Sequence, residues 1–131
     1  MSGCFGGCGT IFELAKIHSG GWRFSVLHMF ENPSGGSPES RLVFDQKGNL
    51  YGSANSGGII PPCSQQLGCG TVFQLSPGKN GQWTYTVLHK FTNGQDGALP
   101  NGVVLDKSGN IYGTTLTGGA HGLGTVFEIV P

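Results

Sequence analysis

Residues 102–119 read GVVLDKSGNIYGTTLTGG, and residues 41–58 read RLVFDQKGNLYGSANSGG. In both stretches a short, mainly apolar run is followed by Asp, two further residues, Gly and Asn, and then by a second run that contains Tyr. Asp at the start and Gly near the end are typical of a type I turn with a glycine bulge. Each stretch is therefore predicted to form a β-hairpin.

The two hairpins belong to a longer internal repeat that extends over most of the chain. Trp22 corresponds to Trp83, and Val-Leu-His at 26–28 corresponds to the same tripeptide at 87–89. A partial third copy begins at Gly124. It follows its predecessor at a shorter interval, because the loop at 120–123 is shorter than its counterpart at 59–69. We interpret residues 1–131 as one domain, with repeat units at about 9–69 and 70–123 and the partial copy at 124–131.

Each unit contains four strand-like segments, which we call strands A to D. Each strand occurs more than once in the chain. The second occurrences are A at 102–106, B at 110–115, C at 70–75 and D at 83–91. The chain therefore reads C-D, A-B-C-D, A-B-C, which makes nine predicted strands. Strand D alternates most clearly, so it is predicted to bury one aromatic face. That face consists of Trp83, Tyr85, Val87, His89 and Phe91.

Glycine supplies 25 of the 131 residues, which favours many tight turns over long helices. The sequence thus predicts an all-β fold of four-stranded antiparallel sheets. A small sheet that recurs and cannot bury both faces alone is typical of a β-propeller blade. Known propellers close with about four to eight blades, whereas this chain supplies about two. We therefore expect the chain to be a homo-oligomer that closes a ring, and the alternative is a fragment of a longer repeat protein.

Four motifs of the repeat, taken together, resemble a known family. They are Gly-Thr-Val-Phe-Gln-Leu at 70–75, Val-Leu-His-x-Phe at 87–91, Asp-x-x-Gly-Asn-Ile-Tyr-Gly-Thr-Thr at 106–115 and Gly-Gly at 118–119. The combination resembles the tandem repeat of bacterial surface proteins called choice-of-anchor GloVer-repeat proteins. This resemblance covers almost the whole chain and implies a propeller-like fold in an exported or surface-anchored protein. It implies no established reaction.

The balance of charges and the hydropathy pattern limit the binding partners and the cellular compartment that the sequence predicts. Seven Lys and Arg balance seven Asp and Glu, so no basic stripe exists for nucleic acid. No run approaches the roughly 18 apolar residues of a membrane span. Residues 1–8 lack the basic and apolar regions of a signal peptide. We expect a secreted or cell-surface protein whose leader is not present in this chain.

Four cysteines lie in two corresponding loops, at Cys4, Cys8, Cys63 and Cys69. Their placement predicts two local disulfides, Cys4 with Cys8 and Cys63 with Cys69, which fits an oxidising compartment. Free thiols and a shared zinc ion are the alternatives. The Cys-x3-Cys and Cys-x5-Cys spacings depart from most structural zinc sites, so no metal site and no cofactor are predicted.

The repeated aromatic and imidazole side chains are the candidate ligand-binding residues. They are Trp22, Trp83, Tyr51, Tyr112, His28 and His89. An aromatic ring can stack on the apolar side of a sugar while neighbouring amides bind its hydroxyls. The competing interpretation is that these side chains pack the sheets, with the histidines in the strand D core.

Three functions remain open at this point. The first is a non-enzymatic, lectin-like binding module with one site in each blade. The second is a structural, self-assembling repeat without a small ligand. The third is a propeller hydrolase or lyase, for which the unmatched Asp96 and His121 are the residues to test. No linear catalytic motif is present, and the turns explain the repeated acids Asp45 and Asp106, so the sequence favours a role other than catalysis.

Overall fold

Nine β-strands form in the part of the chain described by the structure, a computed structural model that covers residues 7–31, 34–59, 63 and 68–131. The strands are β1 (Thr10–Lys16), β2 (Trp22–Met29), β3 (Val43–Phe44), β4 (Leu50–Ala54), β5 (Thr71–Pro77), β6 (Trp83–Lys90), β7 (Ala98–Leu105), β8 (Ile111–Thr117) and β9 (Val126–Ile129). A 3-10 turn, Lys79–Gly81, connects β5 to β6.

The strands form three antiparallel sheets, β1-β2, β3-β4-β5-β6 and β7-β8-β9. In the lettering used above, these sheets are C-D, A-B-C-D and A-B-C, so the all-β prediction is confirmed and the strands group as expected. The first strand of the third sheet begins earlier than predicted, at Ala98. An irregularity between Pro100 and Val103 lets Ala98 and Pro100 pair with β8 ahead of the regular segment.

Both Asp-x-x-Gly-Asn turns form as predicted. Between β3 and β4, one carboxylate oxygen of Asp45 accepts hydrogen bonds from the backbone N–H groups of Lys47 at 2.8 Å and Asn49 at 2.9 Å. Gly48 adopts φ 84°, a left-handed conformation that glycine enters without steric cost. Asp106 makes the corresponding bonds between β7 and β8. These local bonds account for the repeated acids.

A β-bulge interrupts the single aromatic face that the sequence predicts for strand D. The pairing of β6 with β5 skips Leu88, since Val87 and His89 pair with consecutive residues of β5. One extra residue reverses the side of the sheet on which the following side chains lie. Tyr85 therefore packs on one side of the central sheet and Phe91 on the other. The pairing of β2 with β1 has the same irregularity.

The three sheets stack, and each of the two contacts encloses a hydrophobic cluster. Between the first and central sheets, the buried residues are Ile11, Phe30, Leu50, Ala54, Phe73 and Leu75. Between the central and third sheets, they are Cys69, Val72, Phe91, Ala98, Val103 and Ile111. Among the described residues, the central sheet is thus covered on both sides, whereas each outer sheet is covered on one.

The cysteine prediction is confirmed for the pair that the structure describes. Cys63 and Cys69 form a disulfide, so neither thiolate is available to zinc. The predicted bond between Cys4 and Cys8 lies outside the described residues, because Cys4 is not among them. Within the described ranges, no cluster of three or more His, Cys, Asp and Glu side chains has the arrangement of a metal site. None of the described segments forms a helix of the length and apolarity needed to cross a membrane.

Candidate functional site

The two contacts between sheets use corresponding residues. Phe30 meets Phe73 with ring centroids 5.4 Å apart and an interplanar angle of 68°. Phe91 meets Phe127 at 5.2 Å and 65°. In the repeat, Phe91 is the counterpart of Phe30 on strand D, and Phe127 is the counterpart of Phe73 on strand C. One packing arrangement is therefore used twice within the chain.

The repeated contact distinguishes the two faces of every sheet. We call the side that carries Phe73 in the central sheet the front face, and the side that carries Phe91 the back face. In both contacts, the back face of one sheet meets the front face of the next sheet along the chain. Within the described part of the chain, the two outermost surfaces of the stack therefore differ: one is the front face of the first sheet and the other is the back face of the third.

The front face of the first sheet is apolar and exposed. Trp22 and Phe24 lie on this face with 65% and 60% of their surface accessible. Their counterparts in the central sheet, Trp83 and Tyr85, pack against the first hydrophobic cluster. Matching motifs thus differ in exposure, because no sheet covers the front of β1 and β2 within the described part of the chain.

The back face of the third sheet forms a shallow groove of about 540 Å³. Residues that line it include Arg41, Val104, Thr114 and Val126. Val126 is 82% exposed, whereas its counterpart Val72 is completely buried. On the central sheet, β7 packs over the corresponding surface, and the Ser53 hydroxyl accepts a hydrogen bond of 2.8 Å from the backbone N–H of Gly102. Thr114 is the counterpart of Ser53, so the groove is an uncovered copy of a contact made inside the chain.

The tyrosine hydroxyls of strand B are engaged within their own sheets. Tyr51 donates a hydrogen bond to Asp45 at 3.2 Å and accepts one of 2.7 Å from the amide of Gln74. Burial and the bond to Asp45 raise the pKa of Tyr51. Tyr112 donates to the Glu128 carboxylate at 2.8 Å. Both hydroxyls therefore connect strand B to neighbouring parts of the same sheet.

His28 lies inside the first contact between sheets. Its ring stacks on Tyr85, with centroids 3.8 Å apart and an interplanar angle of 2°. Its Nε2 atom is buried and has no hydrogen-bond partner among the described residues. Burial lowers the pKa of His28, and the Glu31 carboxylate offsets part of that effect. Burial also raises the pKa of Tyr85 to about 12, so both rings are held neutral in the stack.

His89 is paired with Asp96, a contact that the sequence analysis missed. His89 Nε2 lies 3.0 Å from a carboxylate oxygen of Asp96, which also accepts a bond from the backbone N–H of Thr92. Desolvation raises the pKa of Asp96, but the hydrogen bonds from Thr92 and His89 outweigh it, and the net shift is downward. His121 lies exposed in the loop after β8. The only sequence signal for the pair was the unmatched aspartate itself, in the loop that follows His89.

Acidification is expected to weaken the fold through the turn aspartates. Desolvation raises the pKa of Asp45 and Asp106, but hydrogen bonds from neighbouring backbone and side-chain groups lower both values below the usual 3.8. Because the folded-state pKa is depressed, the stabilisation is complete above about pH 5 and disappears as the pH falls through the folded-state value. Urea unfolding at a series of pH values from about 6 to 2 measures this loss.

The matched variant for this prediction is Asp45→Asn, which removes one of the titrating groups. Its stability should fall less steeply with decreasing pH than that of the unaltered protein. Identical pH dependence in the two proteins would contradict the role assigned to this carboxylate.

Taken together, these features define a repeat protein built from stacked antiparallel β-sheets, with one contact used twice and two outer faces that no other described sheet covers. The chain matches the Gloeobacter/Verrucomicrobia repeat over residues 1–131 and belongs to this family of bacterial repeats. No curated protein matches the chain, and no solved structure matches it.

Proposed function

We propose that this chain is a structural, self-assembling repeat module, whose sheets stack as blades of a β-propeller and whose end faces bind further copies. The observation that carries the proposal is the contrast between Phe12 and Phe73. These residues hold the same repeat position, yet Phe12 is 54% exposed and Phe73 is 1% exposed. The first sheet thus presents a surface that, one copy later, is the interior of a contact between sheets.

The chemistry of the end faces supports association. Soluble proteins rarely leave a continuous apolar surface of this kind in water. The front face of the first sheet presents Trp22, Phe24 and Phe12, and aromatic residues are frequent anchors of protein interfaces. The groove at the other end presents Val104 and Val126. Since the two ends differ, the contact between copies is head to tail, and such contacts produce a closed ring or an open filament.

We also propose that the module works outside the cell. The disulfide between Cys63 and Cys69 favours an oxidising compartment. The near balance of charges and the high content of glycine also fit an extracellular structural protein. Exported repeats of this kind gain from self-association, because weak contacts add up when many copies bind together.

Assembly is expected to depend on the aromatic end face. Native mass spectrometry and light scattering should show a complex of several chains. Trp22→Ser with Phe24→Ser should weaken the complex at least about 100-fold, because each large aromatic anchor is worth about 2 kcal/mol. The same variant should remain folded by circular dichroism, since both side chains are exposed within one chain.

The matched control is Leu123→Ser. Leu123 is an apolar residue that is even more exposed, at 86%, but it lies in the loop between β8 and β9. This variant should assemble like the unaltered protein. A folded, monodisperse monomer at all concentrations of the unaltered protein would overturn the proposed function.

A carbohydrate-binding function is the second candidate, and the exposed rings of Trp22 and Phe24 favour it. Two aromatic rings on one open sheet face can stack on sugar rings, which makes the module lectin-like. The two candidates use the same surface, so the same double variant separates them. Glycan binding on an array, lost in the Trp22→Ser and Phe24→Ser variant while the unaltered protein stays monomeric, would favour the lectin over the assembly module.

A further inference from the structure

His28 and His89 hold the same position in the repeat but have different surroundings. His28 stacks on Tyr85 across the contact between the first and central sheets, with ring centroids 3.8 Å apart. Its buried Nε2 atom has no hydrogen-bond partner among the described residues. His89 Nε2, in contrast, lies 3.0 Å from a carboxylate oxygen of Asp96. A positive charge on His89 therefore has an ion-pair partner, whereas the described residues offer no acceptor to Nε2 of His28.

A proton added to His28 is costly to accommodate. A charged imidazole carries a proton on each ring nitrogen, so Nε2 of His28 would become a buried donor without an acceptor. Such an unsatisfied donor raises the free energy of the folded state, and the penalty is larger for a charged group than for a neutral one. The neutral ring avoids this penalty, because its single proton can reside on Nδ1. The contact therefore favours the neutral form of His28.

The titratable groups that face His28 do not offset this cost. Burial raises the pKa of Tyr85 to about 12, so its ring stays neutral. That ring attracts an imidazolium, but it offers no acceptor to Nε2. Desolvation lowers the pKa of His28 below 6.5, and the opposing charge of the Glu31 carboxylate is the smaller effect. The neighbours that β1 and β5 contribute to this contact, Ile11 and Phe73, are apolar.

The packing around His28 leaves no room for a carboxylate like that of Asp96. In the register of the repeat, Gly35 takes the place of Asp96. A Cβ atom on Gly35 would lie 3.0 Å from the hydroxyl oxygen of Tyr85 and 3.1 Å from the ring of Phe30. The close packing that stacks Tyr85 on His28 therefore excludes a counter-charge at this position.

We infer that His28 makes the contact between the first and central sheets acid-sensitive. Protonation of its ring loosens the packing of β1 and β2 on the central sheet, whereas the contact that contains His89 stays closed. The opened state binds the proton more readily than the closed state, so the contact weakens as the pH falls from about 7 to about 5. This range lies above the one in which the turn aspartates lose their charge. The inference does not depend on self-assembly, because both sheets belong to one chain.

Hydrogen exchange tests the loosening of this contact. A two-stranded hairpin is only marginally stable by itself, so loosening also exposes the backbone hydrogen bonds between β1 and β2 to exchange. After correction for intrinsic rates, the protection of these amides should fall at least about twofold between about pH 7.5 and about pH 5.5. The amides of β8 and β9 should keep their protection. The measurement uses the protein with Trp22→Ser and Phe24→Ser, so that assembly at the front face does not affect the result.

His28→Phe is the deciding variant, because phenylalanine keeps an aromatic ring for the stack on Tyr85 but takes up no proton. The difference in protection between the two pH values should disappear in this variant. His89→Phe is the matched control at the same repeat position, and it should keep the difference. Equal pH dependence with and without His28→Phe would overturn the inference.

A titration followed by NMR gives a second measure that needs no substitution in the contact. The ring resonances of His28 in the isotope-labelled protein should report a pKa below 6.5, and the amide resonances of β1 and β2 should shift over the same pH range. A pKa of 6.5 or above for His28, or amides of β1 and β2 that do not respond, would contradict the inference. If the unaltered protein is a monomer that shows these pH effects, the acid-sensitive contact stands and only the proposed self-assembly fails.

Discussion

Truncation of Phe73 to Ala is expected to lower the free energy of unfolding by about 3–5 kcal/mol. Phe73 is among the largest fully buried side chains, and its ring lies against both Phe30 and Tyr85. Removing the ring loses its burial and leaves a cavity between two stacked sheets, which their backbones cannot close. Denaturant unfolding followed by tryptophan fluorescence and circular dichroism measures the loss.

The matched control is Phe12→Ala, the same substitution at the same repeat position. Phe12 lies on the uncovered front face and is 54% exposed, so its loss should cost less than about 1 kcal/mol. Both substitutions are to be made in the monomeric Trp22→Ser and Phe24→Ser background, because assembly would cover the front face. Equal costs for the two substitutions in that background would contradict the stacking order of the sheets.

Replacement of Gly118 by Ala is expected to cost about 2–5 kcal/mol. Gly118 has φ 78° and is buried, and a Cβ atom there would lie 2.6 Å from the Cα atom of Gly97. The left-handed conformation costs an L-residue about 1–2 kcal/mol, and overpacking against backbone adds about 1–3 kcal/mol. Thermal and urea unfolding of the variant should show a large drop in both midpoints.

Gly109→Ala separates the two contributions. Gly109 has φ 86°, but nothing lies within 4 Å of the position that its Cβ would take. Only the backbone strain applies, so this control should cost about 1–2 kcal/mol. If Gly118→Ala were no more damaging than Gly109→Ala, the close approach of the Gly-Gly loop to Gly97 would be contradicted.

The number, order and grouping of the strands could be predicted because their signals are local. The Asp-x-x-Gly-Asn turn forms from hydrogen bonds of Asp45 or Asp106 within a few residues, so the motif alone specifies the hairpin. Because the units repeat, the strands predicted for one unit are predicted for the next unit as well. The Cys63–Cys69 pair was predictable for the same reason, since its partners lie close together in one loop.

The sides on which strand D places its residues were not predictable from alternation. The bulge at Leu88 arises from the pairing of β6 with β5, and no single residue type predicts it. The contact between His89 and Asp96 was also missed, because it depends on how the loop before β7 turns back towards β6. Both features depend on a partner segment that a period-two pattern does not contain.

The sequence alone therefore determined an all-β chain of repeated hairpins with the strand order C-D, A-B-C-D, A-B-C. Only the tertiary structure decided which copies of a motif are interior and which are surface. Trp22 and Trp83 read alike, yet Trp22 is exposed and Trp83 packs against a core. The physical reason is that a sheet buries a face only against a neighbour, and among the described sheets the central one has two neighbours whereas each outer one has a single neighbour. The same difference leaves the aromatic front face uncovered by any other described residue, and this is a surface to which we assign assembly.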